Sequence, residues 1–379
     1  MGKGYRIEVK DGDPQKALRG FLRTLLEREE IAAVMTPLRL PAGTAVMPTL
    51  VADATNLDRA EPLSPAFPLN AARLLSRLSR AETGGKVAAV VRPCELRAFT
   101  ELMKLHQGAR ENLLIVGLDC PGAVENRVFS KAAEADEAGD LSLRFTREAL
   151  KGEEQPAGLD LAPACRVCEH VTADAADILI GLHGVDVEKE IWITSGTDWG
   201  EEVLSEMGLS GASEPESRES RIQALVQERT ERRDEMFEKT HQATSTMEGL
   251  TAYLASCVNC YNCRVACPVC YCRECVFTTD VFDHEPRQYL NWARRKGAMK
   301  MPTDTVFYHL TRMAHISLAC VGCGQCSNAC PNDIPVMELF RTMAHRAQES
   351  FDYEAGRDPE EAPPLAVFQE NELTEVVGL

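Results

Sequence analysis

Short apolar runs rich in β-branched residues recur through the first half of the chain and predict β-strands. These strands are expected at Ile31–Met35, Lys86–Val91, Asn112–Leu118, Asp177–Ile180 and Ile191–Ser195. Apolar residues at helical spacing predict helices between them, at Pro68–Arg77 and Leu96–Leu105. Strands that alternate with helices favour a sheet covered by helices. We therefore expect an α/β domain over residues 1–210, with an acidic, irregular surface excursion at Ala135–Leu161.

A charged segment follows this domain. Ser213 stands three residues before Glu216, with Pro215 between them, which predicts a capping box at the start of a helix. Glu and Arg residues at helical spacing then continue to about Thr240. The pattern predicts a solvated linker helix within residues 211–246.

Helical spacing of apolar residues returns in the C-terminal part, at Tyr289–Arg295 and Val306–Ile316. We expect a mainly α-helical domain over residues 247–345. Residues 346–379 form an acidic tail that contains several prolines. Its composition predicts a segment that is either disordered or laid over a partner.

Composition narrows the classes of function. A net charge of −17 argues against nucleic acid as a partner, because phosphate binding needs a basic surface. No apolar run approaches the roughly 20 residues that cross a bilayer, and the first residues lack the apolar core of a secretory signal. We therefore expect a cytoplasmic protein with no membrane span. In that reducing compartment, 15 cysteines indicate metal or redox chemistry rather than disulfides.

Two cysteine runs of identical spacing carry the strongest chemical signal. Each follows the pattern C-x₂-C-x₂-C-x₃-C and ends at a proline, which is the spacing of bacterial ferredoxins with two 4Fe–4S clusters. The runs are Cys257, Cys260, Cys263 and Cys267, then Cys320, Cys323, Cys326 and Cys330. In such proteins the fourth cysteine of each run ligates the other cluster. We therefore assign one cluster to Cys257, Cys260, Cys263 and Cys330, and another to Cys320, Cys323, Cys326 and Cys267. Structural zinc is the rival, since zinc also uses C-x₂-C pairs, but two complete runs that end in Cys-Pro favour clusters.

Four cysteines lie in the expected α/β domain. Cys94 and Cys120 each follow a predicted strand, and Cys165 and Cys168 form a C-x₂-C pair before another strand. Loops at the ends of neighbouring strands can converge, so these four thiols can hold a third cluster. A C-x₂-C pair with two separate buried thiols is the alternative.

Three further cysteines, Cys270, Cys272 and Cys275, are too few for another site with four cysteine ligands. They can act as alternative ligands, hold zinc together with a residue such as His284, or pack as apolar side chains. No Ser/His/Asp or paired-carboxylate pattern predicts a hydrolytic site, and we assign no catalytic residue.

Two strand-to-loop segments, Asp177–Gly184 and Ile193–Gly200, contain small residues. Their hydroxyl and N–H groups can bind a pyrophosphate at the start of a helix near Asp198. Tight turns and helix caps use the same residues. The chain has no G-x-G-x-x-G motif and no P-loop.

Five blocks of sequence resemble the coenzyme F-420 hydrogenase/dehydrogenase beta-subunit family. The blocks are Val91–Ala98, Leu114–Gly122, Cys165–Glu169 together with Ala176–Ile178, Cys257–Cys275 and Phe307–Pro335. The CPVCYCREC run and the segment HLTRMAHISLACVGCGQCSNACPNDIP are the most specific of these.

The resemblance implies an α/β domain of a flavin and iron–sulfur type, followed by a ferredoxin domain. It implies a 4Fe–4S cluster at Cys94, Cys120, Cys165 and Cys168, and hence three clusters in the chain. It also implies bound FAD, with Gly181, Gly184, Thr197 and Gly200 as candidate contacts.

The function implied is that of an electron-transfer beta subunit with oxidoreductase partners. It would relay electrons between a catalytic formate dehydrogenase or hydrogenase-type subunit and an acceptor. The alternative is a flavin-free iron–sulfur subunit that works with heterodisulfide-reductase-like subunits in an electron-bifurcating complex. A zinc-bound structural scaffold is a third interpretation.

Overall fold

The computed structural model describes residues 3–81, 83–272, 274–279, 285–297 and 302–366. Within these ranges, eight strands form one sheet. They are β1 (Gly4–Glu8), β2 (Ile31–Arg39), β3 (Val46–Val51), β4 (Lys86–Val91), β5 (Leu113–Leu118), β6 (Ile178–Gly181), β7 (Glu190–Ser195) and β8 (Ser210–Gly211). The strand order is β3-β2-β4-β5-β6-β7-β1-β8. The central strands β2, β4, β5 and β6 run parallel, and the remaining pairs are antiparallel.

Helices account for most of the remaining regular structure. The first seven are α1 (Pro14–Leu26), α2 (Ala72–Leu78), α3 (Pro93–Lys104), α4 (Asn126–Ala135), α5 (Leu141–Lys151), α6 (Pro163–Arg166) and α7 (Asp198–Glu206). The others are α8 (Arg218–Thr244), α9 (Met247–Tyr253), α10 (Asn262–Ala266), α11 (Pro286–Lys296), α12 (Pro302–Ile316), α13 (Gln325–Asn328) and α14 (Val336–Glu349). Short 3₁₀ helices cover Ala54–Arg59, Pro156–Gly158 and Val276–Thr278. Among the described residues, no helix has the length and apolar character needed to cross a membrane.

The two faces of the sheet bury separate apolar clusters. Side chains alternate along β4, so that Val87 and Ala89 face one cluster while Ala88 and Val90 face the other. The first cluster includes residues of α2 and α3 and continues to Phe340 in α14. The second includes residues of α1 and α7. The C-terminal helices therefore share a core with one face of the sheet.

The five strands expected from sequence are all present, with ends shifted by at most four residues. β1, β3 and the two-residue β8 were not foreseen. β1 has only five residues, and β3 contains Pro48, which argues against a central strand but is tolerated here because β3 lies at the edge of the sheet. Helices are present at α11 and α12, where helical spacing predicted them.

Two expectations about the segments between these elements are wrong. Ala135–Leu161 is not irregular, because α5 forms there and buries Phe145 against Phe129. The long charged helix α8 begins at Arg218 and not at Ser213. Its start is fixed by long-range contacts of the buried Arg218 side chain, which no local capping pattern reveals.

The first part of the acidic tail is ordered against the chain itself. Tyr353 is buried, and its hydroxyl donates to Glu101 of α3 at 2.8 Å. The backbone N–H of Gly356 donates to the same carboxylate at 2.7 Å, and Arg97 donates to the carbonyl of Ala355 at 2.7 Å. The expected disorder is therefore wrong for this stretch, because α3 offers buried charged partners to it.

Candidate metal centres

The four cysteines of the sheet domain converge near the carboxyl ends of parallel strands. Cys94 lies in the first turn of α3, directly after β4, and Cys120 follows β5. Cys165 lies in α6, and Cys168 follows two residues after that helix. Burial raises the pKa of the Cys165 thiol to about 12, and the neighbouring Cys120 and Cys168 contribute in the same direction. Burial also raises the pKa of the Cys94 thiol, and Cys120 and Cys168 add to that rise. The four thiols are thus close enough to interact electrostatically.

Polar groups surround this first thiol set. The backbone N–H of Ala123 donates to Sγ of Cys165 at 3.3 Å. Arg229 of α8 donates to the carbonyl of Cys168 at 3.4 Å and to that of Pro121 at 2.6 Å. Such donors stabilise negative charge on thiolate ligands.

A buried ion pair ties α8 to the same loop. Asp119, which precedes Cys120, is fully buried and pairs with the equally buried Arg218. The backbone N–H groups of Leu182 and His183 donate to the same Asp119 carboxylate at 2.8 Å and 3.1 Å. Every oxygen of this carboxylate is therefore engaged, as a buried charge requires.

A second thiol set lies in the C-terminal part. Cys267, Cys320, Cys323 and Cys326 line one small pocket, together with Arg312. Burial raises the pKa of the Cys267 thiol to about 12, and Cys320 contributes in the same direction. Burial likewise raises the pKa of Cys326, with Cys267, Cys323 and Cys320 adding to it. These four are the residues that the ferredoxin crossover groups together.

The remaining residues of the first run are placed around α10 and α12. Cys263 and Cys330 are buried, Cys257 is half-buried and Cys260 is exposed. α10, which carries Cys263, packs against α13, which ends two residues before Cys330. The grouping of Cys330 with the other three stays a prediction.

Side chains of α12 contact the thiols of that run. Nη1 of Arg312 donates to Sγ of Cys263 at 3.0 Å, and the hydroxyl of Tyr308 lies 3.5 Å from the same sulfur. Nε2 of His309 lies 3.4 Å from Sγ of Cys257. α12 therefore supplies cationic and polar neighbours to this run.

The chemistry of the thiol sets fits iron–sulfur clusters. Within the described ranges, no three His, Cys, Asp or Glu side chains are grouped tightly enough to hold a single metal ion. A 4Fe–4S cluster distributes its thiolate ligands over four irons. Buried neutral thiols that raise one another's pKa give up their protons when a cationic cluster binds. A cluster would thus relieve the electrostatic cost of each set.

The three leftover cysteines also lie near one another. Burial raises the pKa of the Cys270 thiol; Arg312 opposes that rise, while Cys272 and Cys275 add to it. Cys275 is buried. His284 lies outside the described residues. The alternatives for these cysteines stay open.

The four candidate flavin contacts are in contact with other parts of the chain. A side chain at Gly181 would meet Trp192 and Arg218, and one at Gly184 would meet the backbone of Arg218. A side chain at Gly200 would meet the carbonyl of Asp177. Thr197 caps α7 by accepting from the N–H of Gly200 at 3.2 Å. Protein atoms occupy the space next to the three glycines, and binding of FAD stays a prediction.

Sequence reasoning did not find the buried arginines around the thiols. Arg218, Arg229, Arg312 and Arg341 are buried in the structure, and nothing in their local sequence distinguishes them from surface arginines. Asn70 is buried as well and contacts the loop of Cys94. The sequence pattern placed Asn70 inside the predicted helix Pro68–Arg77, whereas α2 begins at Ala72.

Two family models match separate parts of the chain. Residues 84–221 match the family model that describes the C-terminal part of the coenzyme F-420 hydrogenase/dehydrogenase beta subunit. Residues 253–334 match the 4Fe–4S dicluster domain. The chain therefore combines an α/β sheet domain with an iron–sulfur domain of the ferredoxin type.

Two individual proteins are similar to most of this chain. The chain is 24% identical over 371 residues to the F-420-dependent formate dehydrogenase subunit beta of Methanocaldococcus jannaschii, covering 92% of this chain and 93% of that protein. It is 26% identical over 304 residues to the F-420-dependent formate dehydrogenase 1 subunit beta of Methanococcus maripaludis, covering 74% of this chain and 75% of that protein. The resemblance to this group of beta subunits is confirmed.

Among solved structures, a chain of the F-420-reducing nickel–iron hydrogenase complex from Methanosarcina barkeri is also similar. The TM-score is 0.46 at 15% identity, covering 65% of this chain and 95% of that chain.

Proposed function

We propose that the chain is an electron-transfer subunit that carries three 4Fe–4S clusters. It would relay single electrons between a catalytic formate dehydrogenase or hydrogenase-type subunit and an acceptor. The formate dehydrogenase beta subunits among its relatives support this kind of partner.

One observation carries the proposal. Two sets of four cysteines come together from distant parts of the sequence: the thiols of one set line a single pocket, and neighbouring thiols of the same set add to the raised pKa of Cys94, Cys165, Cys267 and Cys326. One set is Cys94, Cys120, Cys165 and Cys168, and the other is Cys267, Cys320, Cys323 and Cys326. Both sets match ligand groups that were assigned from spacing or family resemblance alone. The dicluster match over residues 253–334 supports two of the three clusters.

The chain's own residues hold and tune the ligands. A bound 4Fe–4S cluster accepts and releases one electron at a time, at a potential set by burial and by hydrogen bonds to sulfur. Arg312 at Cys263 and the N–H of Ala123 at Cys165 are such donors. Each lowers the energy of extra negative charge at its sulfur, which favours the reduced state.

The test is anaerobic purification followed by iron, sulfide and flavin quantification. We expect about 12 irons per chain, four for each cluster. Cys323→Ala should lose about four irons and destabilise the domain, because cluster binding is coupled to folding. The matched control is Cys272→Ala, which should leave the iron content intact. An unchanged iron content in Cys323→Ala would refute the ligand assignment.

Bound FAD is part of this proposal only as a prediction from family resemblance. The second candidate is a flavin-free subunit that works with heterodisulfide-reductase-like partners, and one observation favours its flavin-free character. The candidate contacts Gly181, Gly184 and Gly200 lie against protein atoms. A flavin absorbance band that survives iron chelation would favour the FAD-containing form. A flavin-free extract from protein with full iron content would favour the second candidate.

A further inference from the structure

Asn70 is a buried asparagine at the junction of two thiol sets. Its side chain is almost inaccessible to solvent, and it lies just before α2. Nδ2 donates to the carbonyl of Cys94 at 3.2 Å, and Oδ1 accepts from the N–H of Ala72 at 3.0 Å. Burial raises the pKa of the Cys323 thiol, and the nearby Asn70 side chain acts in the opposite direction. Asn70 thus bonds to the loop of one set and lies beside a thiol of the other.

The segment that carries Asn70 is fixed by the second set. The carbonyl of Phe67 accepts from Nε2 of the buried Gln325 at 2.9 Å and from Nδ2 of Asn328 at 3.1 Å. Both amides belong to α13, which lies between Cys323 and Cys330 in the chain. The loop from Phe67 to Asn70 therefore docks on the ferredoxin run through the two side-chain amides of Gln325 and Asn328.

The two sets are adjacent. The Cys323 thiol adds to the raised pKa of the Cys94 thiol. Cys165 and Cys323 line one small cavity together with Phe67. The first ferredoxin run contacts α12 instead, through Cys257 and Cys263.

We propose that Asn70 is a positioning residue that holds the loop of Cys94 against the loop of Cys323, so that the clusters of these two sets exchange electrons directly. The inference rests on the proposed function and adds an order to the relay. The cluster at Cys320, Cys323, Cys326 and Cys267 is the middle one. With both clusters bound, one electron would leave the reduced cluster and enter its oxidised neighbour, with no proton or other reactant.

The order is tested first in a chain with two clusters. Cys260→Ala removes a proposed ligand of the cluster that the first ferredoxin run binds, and it should leave about eight irons. The electron paramagnetic resonance spectrum of the fully reduced variant should still show magnetic interaction between the remaining clusters. Cys323→Ala is the matched control: it removes the middle cluster, also leaves about eight irons, and should abolish the interaction. A reduced Cys260→Ala chain with full expected iron and no magnetic interaction would overturn the order.

The role of Asn70 is tested by charge. Asn70→Asp keeps the shape of the side chain and the acceptor for the N–H of Ala72, but it replaces the donor group with an anion. The midpoint potential of the cluster at Cys323 should fall, with the iron content unchanged. Asn56→Asp adds the same charge at an exposed site and should leave all potentials as in the wild type.

A second variant separates positioning from charge. Asn70→Ala removes both hydrogen bonds without adding charge, so the potential should fall less than in Asn70→Asp, and the magnetic interaction should weaken. If both variants kept the wild-type midpoint potential and the wild-type magnetic interaction at full iron content, the role of Asn70 would be overturned. A wild-type chain without iron would instead refute the proposed function.

Discussion

The Arg312 guanidinium forms two hydrogen bonds with one residue: Nη1 donates to Sγ of Cys263 at 3.0 Å, and Nη2 donates to its carbonyl at 3.2 Å. Arg312 is only 3% exposed. Burial acts to lower the pKa of this arginine, but Cys263 and Tyr308 raise it above its usual value. A cation held in this way favours negative charge on the sulfur.

Arg312→Gln should therefore lower the midpoint potential of the cluster bound by Cys263. A hydrogen bond between charged groups contributes roughly 1.5–3 kcal/mol, and a one-electron couple shifts about 59 mV for each factor of ten. A decrease on the order of 60–130 mV follows if the whole bond acts on the reduced state. Redox titration monitored by electron paramagnetic resonance measures it. Arg6→Gln, on the exposed face of β1, is the control and should leave the potential unchanged.

The buried pair of Asp119 and Arg218 predicts a large effect on stability. Asp119→Asn would leave the buried Arg218 cation with only the exposed Glu214, 3.4 Å away, as a counter-ion. Breaking a buried pair from one side costs about 3–5 kcal/mol, and the midpoint of thermal unfolding under anoxic conditions should fall accordingly. Arg232→Ala removes an exposed pair with Glu228 on the same helix and should change stability by less than about 1 kcal/mol. Equal effects of the two substitutions would contradict the assignment.

His183 predicts a loss of stability in mild acid. Burial lowers the pKa of its imidazole from 6.5 to about 4; Asp119 opposes this shift, while Arg229, Arg218 and Arg221 add to it. Between pH 6.5 and pH 4 the unfolded chain therefore takes up a proton that the folded chain does not, and stability falls as the pH falls.

The loss at pH 5.5 relative to pH 7.5 should be about 1 kcal/mol from this residue. His183→Gln, which cannot take up that proton, should show a smaller decrease between the two pH values. Chemical denaturation at both values measures the difference. A variant that loses as much stability in acid as the wild type does would show that His183 does not carry the effect.

The contacts of the Tyr353 hydroxyl lead us to expect that the acidic tail contributes to stability. Its hydroxyl lies 2.8 Å from both carboxylate oxygens of Glu101 and 2.9 Å from Nζ of Lys104. Tyr353→Phe would remove these bonds from a carboxylate that is 2% exposed, at a cost of about 1–3 kcal/mol. Limited proteolysis should then cut the tail after Glu349 faster than in the wild type. Unchanged cleavage and an unchanged unfolding midpoint would contradict this role.

The sequence predicts the parts of this molecule that depend on local pattern. β4 matches its predicted range residue for residue, because a run of small and β-branched apolar residues buried on both faces suits a central parallel strand. The spacing of cysteines predicts which thiols of a run share a cluster. The pairing of Cys94 and Cys120 with Cys165 and Cys168 needed family resemblance in addition.

The rest depends on contacts between distant segments. Nothing near Arg218 in sequence shows that it pairs with Asp119, 99 residues away. The sequence around Asn70 likewise does not reveal its contact with Cys94, because the two residues meet only when α2 packs on α3. Tyr353 stands in an acidic stretch whose composition predicts disorder, and the buried Glu101 reverses that expectation.

Helix α8 has a consequence for synthesis on the ribosome. Arg218 and Arg229 lie eleven residues apart, about three helical turns. Arg218 contacts Asp119, directly before Cys120, and Arg229 contacts the carbonyls of Pro121 and Cys168. A nascent chain of 210 residues already contains all four thiols of that set but none of these arginines. Docking of α8 on these loops therefore happens only after all four thiols of the set have been synthesised.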